Sequence, residues 1–424
     1  MRYLSALLLC ALALPRAQAA GHSIEVLHWW TAGGEAKAAN VLKQRWQAQG
    51  NRWVDAAIDG GGGGSAMLVL RSRTLAGHPP QAAHLKGVEL HEWARLGFLR
   101  PVSDLARRGQ WDMRLYPFVS STLNHQGQMI AVPVGIHRIN WLWLNQPIFD
   151  RHKLTPPRTW SELLLVASKL KAAGITPLAM GDDPWQLAIL FESIALGEGG
   201  SDFYRRAFVN LEPKVLTGEQ MQQVLRRFHS LRTFLPANHV GLKWNQATQM
   251  LIDGQAAMQL MGDWTKGELI AAGEIPGQRI RCLPAPGTAG RFSYNLDSLA
   301  LFRQPQSRQD QAQQRIAELL MTPEFQRDFN RLKGSIPVLA DMELNGFDRC
   351  GKDAAQALQR AERDGSLVPS VAEGMATPPR VQQALQEVLA NYFADANGDA
   401  AETAQRLAQA IRAVQAEWQP GAEH

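Results

Sequence analysis

Ile24-Glu25-Val26-Leu27-His28-Trp29-Trp30-Thr31-Ala32-Gly33-Gly34-Glu35 is the stretch on which the fold reading turns. A short apolar run of strand character ends in two adjacent tryptophans. A threonine and a glycine pair follow, and from Glu35 to about Trp46 apolar residues recur at helical spacing (Ala39, Leu42, Trp46). Strand, turn and helix start follow one another, with two large flat rings at the carboxyl end of the strand. In open α/β sheets that end is where ligands sit. Neighbouring strand residues point to opposite faces, so two adjacent indoles do not share one core. Either at least one faces a cleft, or both pack into core and lid.

Upstream, Met1-Arg2 is a short basic start and Leu4 to Leu14 is apolar, followed by the small-x-small pattern Ala17-Gln18-Ala19. This reads as a secretory signal peptide over residues 1–19, too short to span a bilayer. Cys10 follows Leu9 rather than a small residue, which favours export as a free protein over a lipid anchor. No later stretch offers the roughly 18 apolar residues a membrane helix needs. Export removes Arg2 and Arg16 and takes the formal charge from +5 to +3. That is small for a chain of this size, and no dense Lys/Arg block occurs, so nucleic-acid binding is unsupported. Two cysteines remain, Cys282 and Cys350, an even pair bound for an oxidising compartment, and a disulfide between them is expected. By length, the mature chain makes two or three domains.

Downstream, Val54 to Ile58 reads as a second strand running into Gly60 to Gly64, Ser65 and an apolar helix from Ala66 to Leu75. The Lys-Ser/Thr ending of a phosphate-cradling loop is missing. The glycines are better read as letting backbone approach something closely at the mouth of a cleft. Ala82-Ala83-His84-Leu85-Lys86-Gly87 is a third short strand ending in lysine. Met129 to Asn145 is a long extended run broken by Pro133 and Gly135, suited to crossing between domains. Thr159 or Ser161 caps a helix that stops near Gly174, Pro184-Trp185-Gln186 opens another, and residues 202–255 are mostly helical in pattern. Gly254 to Trp264 reads as a strand ending in Asp-Trp, and Val381 to Trp418 as helix packed on the second lobe. His28, Trp46, Trp53, Trp93, Trp111, Trp141 and Trp143 are read as packing. His91 in His-Glu-Trp-Ala-Arg lacks the second histidine of a zinc helix, and no metal site or cofactor is expected.

These motifs, with Ile136-His137-Arg138-Ile139-Asn140-Trp141-Leu142-Trp143, Met261-Gly262-Asp263-Trp264, Tyr294-Asn295-Leu296-Asp297-Ser298 and Lys333-Gly334-Ser335-Ile336-Pro337-Val338, form an ordered set. The set resembles the periplasmic sugar-binding proteins of ABC importers, extracellular solute-binding protein family 1, and within them the glucose-binding group. The resemblance implies an α/β, two-lobed periplasmic-binding-protein fold, each lobe a mixed sheet flanked by helices, joined by crossing hinge strands. It places the first lobe at 21–133 and 297–332 and the second at 134–296 and 333–424. It also implies sugar contacts. Trp29 and Trp30 would stack on the sugar, Trp264 would cover it, and Glu35, Lys86, Asn295, Asp297 and Lys333 would bond its hydroxyls, with His137 as a further contact. Near Pro369 to Thr377 the sequence departs from the pattern, with Glu373 where glucose-binding relatives tend to have histidine; this bears on which sugar is taken and on its pH response. A monomer handing glucose to membrane permease subunits is the expected system.

The residue chemistry agrees. A pyranose offers weakly apolar C–H faces to aromatic rings and a rim of hydroxyls to charged and amide groups. The competing expectation is an exported glycoside hydrolase with paired carboxylates among Glu35, Asp263 and Asp297. Lys86 and Lys333 beside them speak for neutralised hydrogen-bonding partners and hence for binding without catalysis.

Overall fold

The computed structural model describes residues 21–304 and 309–416; the leader read over residues 1–19 lies outside them. The opening stretch forms strand β1 (Ser23–His28) and helix α1 (Gly33–Ala48). The helix buries Gly34, Ala38, Leu42 and Trp46, a stripe recurring every four residues, with Gly34 against the backbone of Gly267. Strands β2 (Arg52–Ala57) and β3 (Ala82–Leu85) pair parallel to β1 on either side. Between them, helix α2 (Gly64–Leu75) follows the glycine run, and helix α3 (Gly87–Arg95) follows β3.

The extended run predicted to cross between domains is two strands. Strand β4 (Val132–Arg138) pairs antiparallel with a later ten-residue strand, whereas β5 (Trp141–Asn145) belongs to a different sheet. Ile139 and Asn140 therefore span the junction. The smaller, four-stranded sheet is completed by β6 (Thr176–Leu178), β7 (Ala256–Leu260) and β8 (Ile280–Pro284), in the order β8-β5-β7-β6. Chain order then returns to the larger sheet with β9 (Phe292–Leu301) and, much later, β10 (Leu367–Pro369), giving the order β10-β9-β3-β1-β2 with β4 also on β9. Every residue of β9 is buried, as its flanking by strands on both edges requires. Along one edge it pairs with β10 through Phe292–Tyr294 and with β3 through Ser298–Leu301, leaving Asn295 to Asp297 between the two partners. On the other edge its register with β4 slips between Asp297 and Ser298. Such irregularities re-aim side chains, and this one falls on a residue of the candidate site.

Helices cover both sheets: α4 (Trp160–Ala172), α5 (Pro184–Phe208), α6 (Trp244–Ile252), α7 (Thr265–Ala271), α8 (Pro323–Lys333), α9 (Arg349–Arg363), α10 (Pro379–Ala394) and α11 (Ala400–Ala416). Thr159 rather than Ser161 caps α4, with Glu162 returning the bond as a capping box. Two large apolar clusters form, one around β1, β3, β4 and β9, the other around β5, β7, α5, α10 and α11. The last two helices pack there as expected. The molecule is thus a two-lobed mixed α/β protein.

The strand read through Asp263-Trp264 ends earlier, at Leu260. Met261 to Trp264 form a turn into α7, held by the Asp263 amide donating to the Arg138 carbonyl at 3.0 Å and the Thr265 amide to the Gly262 carbonyl at 3.2 Å. The expected disulfide is present, with Cys282 on β8 joined to Cys350 on α9. Among the described residues no helix is long and apolar enough to cross a membrane.

Candidate ligand-binding site

The carboxyl end of β1 delivers Trp29 and Trp30 to one cleft, where both line the same pocket and are 7% and 2% exposed. Trp30 rests edge-on against Phe329, and its face meets His84 at 4.5 Å; Trp29 lies 3.9 Å from the same imidazole. Two glycines of the run before α2 make room for the rings. Gly63 has φ +82°, and a Cβ there would stand 2.8 Å from the Trp29 indole; Gly62, φ +72°, faces Trp185. Close approach, not phosphate, explains the glycine run.

All ten residues put forward from the sequence line this pocket: Trp29, Trp30, Glu35, Lys86, His137, Trp264, Asn295, Asp297, Lys333 and Glu373. They come from the turn after β1, α1, the β3–α3 turn, β4, β9, α8 and two loops. Gly62, of the glycine run expected at the mouth of a cleft, lines it too, as do His84, Trp185 and Trp244, which were not anticipated. Trp185 and Trp244 arrive on helices beside the smaller sheet and pack against Trp264, at centroid distances of 6.3 and 6.5 Å. A wall of indoles therefore faces the pair on β1. His28, by contrast, is a satisfied interior histidine, with Nε2 3.1 Å from Asp55 and Nδ1 accepting from the Trp30 amide.

Charges in the pocket are paired. Lys333 Nζ, 3% exposed as a side chain, donates to Glu35 at 2.8 Å. Burial pulls this ammonium down, but Glu35 and Asp297 more than reverse that, so it stays charged. Lys86 pairs with Glu373. The turn carrying Glu373 is seated on α3 by the Val88 amide donating to the Gly374 carbonyl at 3.0 Å, and the carbonyl approaches so near that a Cβ on Gly87 would overlap it. Asp297 sits between two imidazoles, Nε2 of His84 at 3.1 Å and Nε2 of His137 at 3.2 Å, and accepts from Asn295 Nδ2 at 2.9 Å. Burial would raise its pKa; the two histidines overturn that and hold it well below the usual carboxylate range. His137 Nδ1 meets Asp263 at 2.5 Å. Burial depresses that imidazole, yet Asp263, joined by Asp297 against Lys333, leaves it raised. Burial drives His84 down to about 4 despite Asp297, so it is neutral at pH 7.

Beside these pairs lie polar atoms with no protein partner. Nε1 of Trp30 and of Trp264, Nδ1 of His84 and Oδ1 of Asn295 are buried and make no hydrogen bond within the chain. Buried polar groups are nearly always bonded, so a cluster of exceptions in one pocket marks where another molecule's donors and acceptors fit. The free space enclosed is only about 30 Å³, enough for a water or two. A larger guest must part the indole walls.

The model of the bacterial extracellular solute-binding protein family matches residues 30–302. The chain belongs to that family. A probable sugar-binding periplasmic protein of Rhizobium meliloti is 38% identical over 94% of each chain, and one of Brucella suis is 39% identical over 88% of each. Among solved structures, the bacterial solute receptor AcbH, described as having an exclusive preference for β-D-galactopyranose, superposes with a TM-score of 0.80 at 15% identity, over 93% of this solute-binding protein and 99% of the receptor. The likeness to AcbH supports the two-lobed fold. The family consists of solute receptors, and the site of this member agrees. Its carboxylates are ion-paired or bonded to histidine, and Asp297 is held below the ordinary carboxylate range, away from the raised one a general acid requires.

Proposed function

We propose that this solute-binding protein captures a monosaccharide between its lobes in the periplasm and delivers it, unaltered, to the permease of an ABC importer. The observation that carries this reading is the coincidence, in one pocket, of five indoles, pre-paired charges and unpartnered buried donors and acceptors. Rings serve the C–H faces of a pyranose, while ionised partners and bare indole and imidazole nitrogens serve its hydroxyl rim. The naming of the Rhizobium and Brucella relatives supports the sugar class. Glucose is the first candidate, on the motif resemblance.

In this reading Trp29 and Trp30 stack on one face of the sugar and Trp264 covers the other. Glu35, Lys86, Asn295, Asp297, Lys333 and Glu373 bond the hydroxyls, with His137 holding Asp297 in place. The lobes are 21–133 with 297–332 and 134–296 with 333–424, hinged where the chain passes between sheets, and the protein acts as a monomer. Export follows from the leader read over residues 1–19. Closure needs only a sugar that binds the closed form better than the open one.

Calorimetry against a panel of hexoses, with a chromogenic glycoside assay alongside, tests the proposal. A micromolar constant, about −8 kcal/mol, for one hexose without turnover is the expected result. Turnover of the glycoside, or no heat from any sugar, would overturn it.

A further inference from the structure

The strand that presents His137 to the sugar pocket presents its neighbour, Arg138, to the opposite face, as strand alternation demands. There lies a second cavity of about 570 Å³, within the size range of small-molecule sites. Four arginines line it, Arg138, Arg281, Arg349 and Arg360, against two carboxylates, Asp353 and Asp364. Arg138 is 3% exposed. Its guanidinium lies 4.3 Å from the centroid of the Trp141 ring and donates only to neutral oxygens, Asn140 Oδ1 and the Arg291 carbonyl, each at 3.3 Å.

Among the described residues neither Arg138, Arg281 nor Arg360 has a carboxylate within ion-pair distance. Arg281 bonds the amide oxygen of Gln146 at 2.9 Å, and only Arg349 reaches an acid, Asp353, at 3.5 Å. A buried guanidinium without a counter-charge is costly, and a planar five-donor fork suits an oxyanion. Burial lowers Arg138 to about 9, with Asp263 and Asp353 opposing and Arg360 adding to the fall, so it is charged at neutral pH.

We propose that this cavity is a second binding site, for a small molecule carrying a phosphate or carboxylate group, with Arg138 as its buried anchor and Arg281 and Arg360 closing on the anion from the rim. Arg138 and His137 share one strand, so the anion and the sugar occupy opposite faces of the same crossing.

Calorimetry of the full chain with inorganic phosphate and with citrate, at fixed ionic strength against a chloride background, reads this directly. Saturable 1:1 binding of at least one probe is expected. It should weaken at least tenfold in the double variant Arg281→Glu/Arg360→Glu, whose side chains sit at the rim and whose melting temperature should be unchanged. Arg138→Met, which keeps the stem over Trp141, should abolish it. Asp297→Ala should leave it intact, which separates this site from the sugar pocket. No saturable heat from either probe, or full affinity in the double variant, would overturn the proposal.

Discussion

Asp297 is the residue on which most bonds of the candidate pocket converge. Asp297→Ala removes the acceptor shared by His84, His137 and Asn295. Loss of even one charge-assisted bond of about 2 kcal/mol lowers affinity roughly 30-fold, so calorimetry on this variant should show at least that loss. Trp30→Ala should do the same through the lost stacking face, with the fold kept in both, as circular dichroism would verify. Wild-type affinity in both would mean the sugar binds elsewhere. Glu373→His should reorder preference among hexoses or introduce a pH dependence between pH 5 and 8, read by the same titration at several pH values; no change in either would remove Glu373 from the sugar contacts. Ten pocket residues were legible because their motifs are local: each lies within a few residues of its motif's other members, whether on a strand, at a helix end or in a turn. His84 could have been found by parity, since it is two residues before Lys86, whose extended backbone continues β3 into the turn. Trp185 and Trp244 could not, because only tertiary packing brings their helices to the cleft.

At the scale of elements, one buried acid ties the segment 370–377 to α5. Glu192 on α5 is fully buried and accepts from Ser370, Ser293, Tyr204 and the Ala372 amide, all at about 3.0 Å. Burial pushes its carboxyl up to about 7 against those bonds. The folded state therefore prefers the proton, while the unfolded chain gives it up near pH 4.3. Stability is full below that value and falls as pH rises through about 7, beyond which the deficit is constant. Glu192→Gln keeps the acceptor oxygen without the charge. Relative to wild type its melting temperature should be higher at pH 8 than at pH 5, and equal offsets at both would contradict this. Glu192 and Ser193 interrupt an otherwise apolar run, Leu187 to Leu196, and such an interruption is the sequence signal for a buried polar group. Element types were readable where a period or cap was strong, as at Thr159. The end of β7 was misplaced because Met261 and Trp264 continue the apolar pattern although the backbone has already turned.

For the molecule as a whole, the cross-link between Cys282 and Cys350 was predictable by counting, since the leader read over residues 1–19 accounts for the third cysteine. It closes a loop across 68 residues, worth about 4 kcal/mol in the chain-entropy model. Thiol titration under denaturant should find none before reduction and two after it, and reduction should lower the melting temperature. Two thiols without reductant would refute the bond in solution. The order of strands within each sheet was not legible, because β9 and β10 join the first sheet from far along the chain and no local pattern reports a partner that distant.

The Lys333–Glu35 and Lys86–Glu373 pairs have one further effect. A neutral guest entering among cations and anions that already cancel takes up and releases no small ions. The grip on nutrient should therefore hold steady from about 0.01 M to 1 M salt, although the Debye length contracts roughly tenfold over that range. An envelope whose salinity follows the outside water would then leave the cell's uptake threshold where it was.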